Sequence, residues 1–362
     1  MTRARRSSRI DILVDARAPA DRLRRCVEAL LAQPRGDFRL LLVDAAPQDR
    51  APGALVEALA RRGVHGIAVL PGEVEPGFAA AANRALAESD RDSDGDVVLV
   101  DSAMIATPGW LDALARCAAS DSRIATAVPF SNAGALCSFP RLLGDDPWFA
   151  DRDPGPTLAA LAGAAVPTYP DPPIGTGPCL YLRRRALRVL GGLDPAFVTL
   201  QGAQADFCMR ALRAHWRNTL ADDAFVVHGE APAGSHDPAE ARDQARLARR
   251  HPYLAEVVGA FVTIDPLRPL REAALSRMLV AGSTPGVLHV IHDHGGGVET
   301  HVRALIEASR AGWRHCVATA VGDRWQVDEY LGDGATRRFE LVRGDGESWH
   351  DFVGGIATSF RI

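Results

Sequence analysis

Gly95-Asp-Val-Val-Leu-Val-Asp-Ser-Ala-Met-Ile-Ala-Thr-Pro-Gly-Trp-Leu-Asp-Ala-Leu114 decides how this chain is read. Val97–Val100 is an unbroken apolar run too short for a helix, which predicts a strand buried on both faces of a parallel sheet. Asp101 then falls at the carboxyl end of that strand. Thr107 and Pro108 supply an N-cap and a first-turn proline, so a helix is expected to start near Pro108. Open α/β sheets bind ligands at the carboxyl ends of their parallel strands. Asp101 is therefore either a site residue or the cap of a turn.

Working outward, residues 10–130 alternate short β-rich runs with amphipathic stretches. The strands are expected at Ile10–Val14, Arg39–Val43, Ile67–Leu70, Val97–Val100 and Ile124–Val128, with helical patterns between them. This alternation predicts βαβ units and an α/β, doubly wound, mostly parallel (Rossmann-like) sheet with helices on both faces. The second strand ends at Asp44 and the third at a loop carrying Pro71, Gly72, Pro76 and Gly77, which puts polar or glycine-rich ends on one edge. From Ser131 to Pro173 the pattern dissolves into Pro, Asp and Gly, the mark of a functional or mobile loop. Ile174–Arg183 resumes as a strand that starts through glycines. Gln201–Trp216 reads as a loop running into a helix, and Thr219–Val227 as a strand delivering His228. Two more helical patterns follow, and Pro266 and Pro269 mark a linker. Val287–Ile291, the His294-Gly-Gly-Gly297 loop, Val298–Ser309 and Trp313–Ala320 then make one more βαβ start, whose helix N-terminus is placed to take an anion.

Composition narrows the classes. The chain has 362 residues, 47% hydrophobic and 24% charged, enough for two domains with real cores. A net charge of −4 gives no general pull toward nucleic acid or anionic membrane. The apolar run after the basic start is interrupted by Asp11, unlike a signal peptide. No stretch approaches the roughly 18 apolar residues of a membrane span. Six cysteines without a close pair fit reduced thiols in a cytoplasmic core rather than a zinc or redox motif.

Several stretches, in order and at matching spacing, resemble the family 2 glycosyltransferases of the GT-A fold, particularly the rhamnosyltransferase-like members of bacterial surface-polysaccharide pathways. They are Leu40-Leu-Leu-Val-Asp44, Gly77-Phe-Ala-Ala-Ala-Ala-Asn-Arg-Ala-Leu86, Asp96–Leu111, Gly175-Thr-Gly-Pro-Cys-Leu-Tyr-Leu-Arg-Arg184, Gly192-Leu-Asp-Pro-Ala-Phe197, Asp206-Phe-Cys-Met-Arg-Ala211 and Trp216-Arg-Asn-Thr-Leu-Ala-Asp-Asp223 with His228. Residues 286–310 look like the opening strand, glycine loop and helix of a family 4 transferase with the GT-B fold. The expected organisation is a GT-A domain over 1–265, a linker over 266–285 and a partial GT-B or Rossmann-like segment over 286–362.

The resemblance implies an inverting, hexosyltransferase-type reaction from a nucleotide diphosphate sugar to a glycan or lipid-linked acceptor. It implies neither nucleic acid nor a transmembrane segment, and it leaves room for peripheral membrane contact. It places Asp44 at the nucleobase, Gly77 and Asn83 along the nucleotide, Asp101 at the diphosphate, and Gly175, Thr176 and Gly177 on the acceptor side. The family's second metal-binding acid is replaced by Ala103, so Mg2+ or Mn2+ is expected to bind weakly or not at all, through Asp101 and His228. The family's acidic pair aligns with Ala203, Gln204 and Ala205, preceding Asp206. An amide cannot accept a proton near neutral pH, so Gln204 occupies the expected base position without being a base, and Asp206 is the acid left in the segment. The readings that follow are a working glycosyltransferase and a catalytically degenerate GT-A module that binds nucleotide sugar or glycan, or scaffolds a fused transferase.

Overall fold

The computed structural model describes residues 9–33, 38–44, 51–61, 67–71, 77–90, 93–144, 153–163, 166–229, 238–280, 286–293, 295–309, 313–321, 324–330, 336–341 and 348–359. The chain divides into two compact units, the first comprising 1–150 and 164–268, the second 151–163 and 269–362. In chain order the elements are β1 (Ile10–Asp15), α1 (Ala20–Leu31), β2 (Phe38–Asp44), α2 (Ala51–Arg61), β3 (Ile67–Pro71), α3 (Phe78–Ser89), β4 (Val97–Val100), β5 (Met104–Ile105), α4 (Trp110–Ser120), β6 (Ile124–Ser131), α5 (Gly155–Ala162), β7 (Cys179–Leu182), α6 (Arg184–Leu190), α7 (Leu200–Arg213), β8 (Arg217–His228), α8 (Pro238–Arg250), α9 (Leu254–Ile264), α10 (Arg268–Val280), β9 (Gly286–Ile291), α11 (Gly297–Ser309), β10 (Arg314–Val321), β11 (Arg324–Tyr330), β12 (Thr336–Leu341) and α12 (Trp349–Ser359).

The first unit carries an eight-stranded sheet in the order β3-β2-β1-β4-β7-β6-β8-β5. β3, β2, β1 and β4 run parallel, as the alternation of strand and helix requires. β7 is antiparallel to both of its neighbours, and β6 is again parallel to β8. Each residue of β4 is buried, which explains its unbroken apolar run. One sheet face offers Ile12, Val14, Leu40, Leu42, Val98 and Val100 to α1 and α4. Those helices answer with stripes at i, i+3, i+4 and i+7: Leu23, Cys26, Val27 and Leu30 on α1, and Trp110, Ala113, Leu114 and Cys117 on α4. α3 packs on the opposite face, over β1 and β2. Asp11, which interrupts the apolar run of β1, is fully buried and held by Arg39 at 2.8 Å and Arg184 at 2.7 Å.

The structure differs from the sequence reading at several points. Thr107 does not cap α4, because its hydroxyl donates to the carbonyl of Phe225 in β8. Gly109 is the N-cap instead, at φ 77°. The expected strand from Ile174 begins only at Cys179, since side chains of α7 take the backbone groups of Gly175 and Gly177. Arg268–Val280, within the stretch read as linker, is helical. Pro269 sits in its first turn, where the missing N–H is not needed.

The second unit has the sheet order β12-β11-β10-β9. β9 and β10 are parallel across α11, as expected of a βαβ start, but β11 and β12 return antiparallel. Its small core joins Val302, Ile306 and Val317, and Trp325 packs edge-on with Trp349. Gly295 and Gly296 adopt φ 67° and 92° ahead of α11, while His294 lies outside the described residues. Among the described residues no helix is long and apolar enough to cross a membrane.

Candidate functional site

The end of β4 turns sharply, and the turn is built by Asp101 itself. Its Oδ1 accepts from the N–H of Ala103 at 2.7 Å, while Oδ2 faces Gln201 Nε2 at 3.4 Å. The two residues of β5 then pair with the end of β8, Met104 opposite His228, and Gly229 N–H reaches the Ala103 carbonyl at 2.9 Å. This pairing brings His228 beside the Asp101 turn. Asn132 fixes the His228 backbone from both sides, accepting its N–H at 2.6 Å and donating to its carbonyl at 3.1 Å. The His228 Nδ1 is buried without a hydrogen-bond partner among the described residues.

The facing wall is the 173–178 segment, gripped by α7 and β8. Asn218 donates to the Pro173 carbonyl at 2.9 Å, and the N–H of Gly175 donates to Cys208 Sγ at 3.4 Å. Gln204 binds the Gly177 peptide with both ends of its amide, Oε1 accepting at 3.1 Å and Nε2 donating at 3.3 Å. Gln204 and Cys208 are one turn apart on α7, so a single helix face sets the path of the loop. Burial pushes the Cys208 thiol up to about 11, the donors from Gly175 and Thr126 opposing. It stays a neutral acceptor rather than a nucleophile.

Asp206 is placed differently from a base. It is fully buried, and Arg210 (2.7 Å), Arg250 (3.1 Å) and His251 (2.8 Å) surround its two oxygens. Arg210 also reaches the carbonyls of Leu190 and Gly192, so Asp206 ties α7 to the 190–194 turn and to the end of α8. Asp243 of α8 holds the other end of α7. Its Oδ2 accepts from Thr199 N–H and Thr199 Oγ1, each at 2.8 Å, while Thr199 Oγ1 caps α7 by accepting from Gly202 N–H at 3.0 Å.

Between these walls lies a cavity of about 660 Å³, with Asp101, His228 and Gln201 at one end, Thr176 and Gly177 on one side, and α8 and α9 on another. The structure thus brings together four of the residues expected from the sequence: Asp101, His228, Thr176 and Gly177. Gly175 stands behind them, packed against Leu180 and Val128. Gln204 and Asp206 do not line the cavity; each is consumed by a structural bond. Gly77 and Asn83 do not line it either. A Cβ on Gly77 would lie 2.2 Å from Val198 Cα, and Asn83 pairs with both the N–H (3.0 Å) and the carbonyl (2.7 Å) of Leu193. Both brace the 192–198 segment on α3. The Asp44 side chain lies outside the described residues, its backbone pairing with Pro71 at the end of β2. The reading of residues missed Glu240, Asp243 and the α8–α9 wall, which carry no motif. The Thr199-Leu-Gln-Gly202 run was a readable N-cap signal for α7.

Residues 12–139 match the family model described as Glycosyl transferase family 2. The match runs from β1 past β6 and includes Asp44, Gly77, Asn83 and Asp101. No curated protein matches the sequence. Among solved structures, the chain is similar to GalNAc-T7 with UDP, GalNAc and Mn2+, at 12% identity and a TM-score of 0.51 over 68% of this chain and 48% of that one. It thus spans about half the length of that protein. It is also similar to the mannosyltransferase PcManGT from Pyrobaculum calidifontis in complex with GDP-Man and Mn2+, at 18% identity and a TM-score of 0.49 over 84% of this chain and 81% of that one. The fold is the GT-A fold.

Whether the floor suits a divalent cation can be judged from its donors. Among the described residues no three His, Cys, Asp or Glu side chains gather into a metal cluster. Asp101 and His228 both line the cavity and supply at most one carboxylate and one imidazole, the His228 Nδ1, unpartnered among the described residues, itself being buried. Ala103, buried where a second acid is expected, adds none. Two donors fill about a third of an octahedral shell, the remainder belonging to a phosphate ligand and water.

Proposed function

We propose that the first unit takes a nucleotide diphosphate sugar and passes the sugar, with inversion, to a hydroxyl of an acceptor held in the cavity. The observation that carries this reading is the meeting of Asp101 and His228 at the cavity floor, at the carboxyl edge of the sheet, within reach of the Thr176–Gly177 wall. Asp101 and His228 would hold Mg2+ or Mn2+ there, and the ion would supply charge neutralisation for the leaving diphosphate. Gln201 orients the Asp101 carboxylate, and the Ala103 N–H keeps its other oxygen turned back into the loop.

The acceptor proton needs a carboxylate that Gln204 and Asp206 do not provide. Among the acids lining the cavity, Asp243 is saturated by Thr199 and Val198. Glu240, exposed in the first turn of α8, lines the cavity with no partner among the described residues. We assign it the acceptor-side role. The internal use of Gln204 and Asp206 favours a second reading, in which the module binds a nucleotide sugar without transferring it.

One experiment separates the two. UDP-glucose, GDP-mannose and dTDP-rhamnose are titrated by calorimetry with and without Mn2+, beside a sugar-release and transfer assay on the native chain and Glu240→Gln. Transfer by the native chain, reduced about 100-fold or more in Glu240→Gln at unchanged donor affinity, supports the first reading. Binding without turnover supports the second, and no binding of any donor refutes both. Mn2+ is expected to tighten binding about tenfold or less. A 100-fold effect, about 2.7 kcal/mol, would show a complete metal site despite Ala103.

A further inference from the structure

The cavity changes character from floor to wall. Its floor is polar, with Asp101, His228 and Gln201, and α8 adds Glu240 and Gln244, whereas α9 presents Leu254, Ala255 and Val258 beside Leu247 of α8. Among the described lining residues there is no Lys or Arg and no Phe, Tyr or Trp ring. Hydroxyl groups laid against that aliphatic wall would lose water without gaining partners, which is unfavourable. Away from the Asp101 end, which the proposed reading reserves for the donor diphosphate and its ion, an anionic group of the acceptor would face Glu240 with no Lys or Arg among the described lining residues to meet it. The apolar surface continues beyond the cavity. α9 reads Leu-Ala-Glu-Val-Val-Gly-Ala-Phe-Val-Thr-Ile, yet Phe261 is its one buried residue. Tyr253 at 69% and Ile264 at 73% exposure mark an outward stripe that also carries Val257 and Ala260.

From this polarity we infer that the acceptor is an uncharged glycolipid, a hydroxyl-bearing sugar head on an aliphatic chain. The head faces the Asp101 end and the chain runs along Leu254, Ala255 and Val258. The inference rests on the transferase reading for the word acceptor, but the binding preference stands by itself and is measured by itself.

The probes are methyl, hexyl and octyl β-glucoside, each kept below its micelle concentration, and octyl phosphate, titrated by calorimetry into the native chain. Burial of one methylene tightens binding about fourfold, so burying only three of the seven that octyl adds to methyl gives about 60-fold. We expect at least that gain, and octyl phosphate at least about tenfold weaker than octyl glucoside. Val258→Asp and Ala255→Asp, checked for native circular dichroism and melting, should abolish the chain-length gain. Ala260→Asp, on the outward stripe, should keep it.

Equal binding of methyl and octyl glucoside overturns the inference. So does a gain that survives Val258→Asp and Ala255→Asp, or one lost in Ala260→Asp instead. Octyl phosphate binding as tightly as octyl glucoside refutes the uncharged head. Chain-length-dependent binding in a protein that binds no nucleotide sugar leaves this inference standing and removes the transferase reading. Donor binding without chain-length dependence does the reverse.

Discussion

Replacing Gln204 by Glu changes one NH2 into one oxygen at a side chain with no exposure, and it tests whether this position is a clamp or a vacant base site. In the native chain the amide donates to the Gly177 carbonyl and accepts from the Gly177 N–H. An ionised carboxylate keeps the second bond and turns the first into a contact between two oxygens. The lost bond and the stranded carbonyl together cost about 1–3 kcal/mol. Burial adds to this by disfavouring the charged form, so the new acid's pKa in the folded state rises above the unfolded value of about 4.3. A protonated acid can donate to the carbonyl as the amide does. The sign follows: a raised folded pKa gives stability that is present at low pH and lost as pH climbs from about 4.3 through the folded value, at up to about 1.4 kcal/mol per pH unit. Gln204→Glu should therefore unfold in urea close to the parent at pH 4.5. At pH 7.5 it should fall about 2–4 kcal/mol below the parent, with Gln204→Asn destabilised to a similar degree at both pH values. Equal stability of Gln204→Glu and the parent at pH 7.5 would refute the clamp. A gain of 100-fold or more in sugar transfer would show that the position still serves as a base site.

Asp11→Asn leaves the side chain of Arg184, 4% exposed, short of a buried charge partner, and should cost about 3 kcal/mol in a urea titration; a loss under about 1 kcal/mol would show that the buried pair contributes little. Gly77→Ala forces the α3 start away from Val198 and should lower stability by about 1–3 kcal/mol in a thermal melt, a larger effect than the same change at Gly53, where a Cβ meets nothing within 4 Å. In the second unit His289 Nε2 and His315 Nδ1 lie 3.0 Å apart in stacked rings; burial lowers both pKa values, with the neighbouring His315 adding to the effect on His289. The unfolded chain then binds more protons below about pH 6.5, so amide exchange in β9 and β10 should quicken as pH drops from 7.5 to 5.5 after correction for intrinsic rates, and His315→Gln should weaken that dependence.

Much of the first unit could be read directly because its signals are local. β4 is buried on both faces and reads as an apolar run; α1 and α4 bury one stripe and read as a 3.6-residue period. The errors came where a distant group took over a local role. Thr107 has every mark of an N-cap, but the Phe225 carbonyl, 118 residues away in sequence, claims its hydroxyl. Ile174–Pro178 has the composition of a strand start, but Cys208 and Gln204 of α7 take the N–H groups of Gly175 and Gly177 from outside the sheet. The antiparallel return of β11 and β12 follows from pairing partners that the local pattern does not name.

Where the candidate residues lie was legible in part, for the same reason. Asp101, His228, Thr176 and Gly177 stand at strand ends or in the glycine segment, where topology alone carries them to one cavity. Asp206 and Gln204 were marked by alignment to a catalytic position, and alignment says nothing about which neighbour uses the group. Arg210, one turn on, was visible as a helical partner for Asp206, but Arg250 and His251 come from another helix. A carboxylate enclosed by three such donors is acceptor-saturated and shut off from ligand, so in the proposed reaction Asp206 offers no base beside Gln204. If transfer survives, the proton must leave through a group outside the aligned segment. Glu240, on a helix that no motif marks, is a cavity acid whose oxygens have no partner among the described residues.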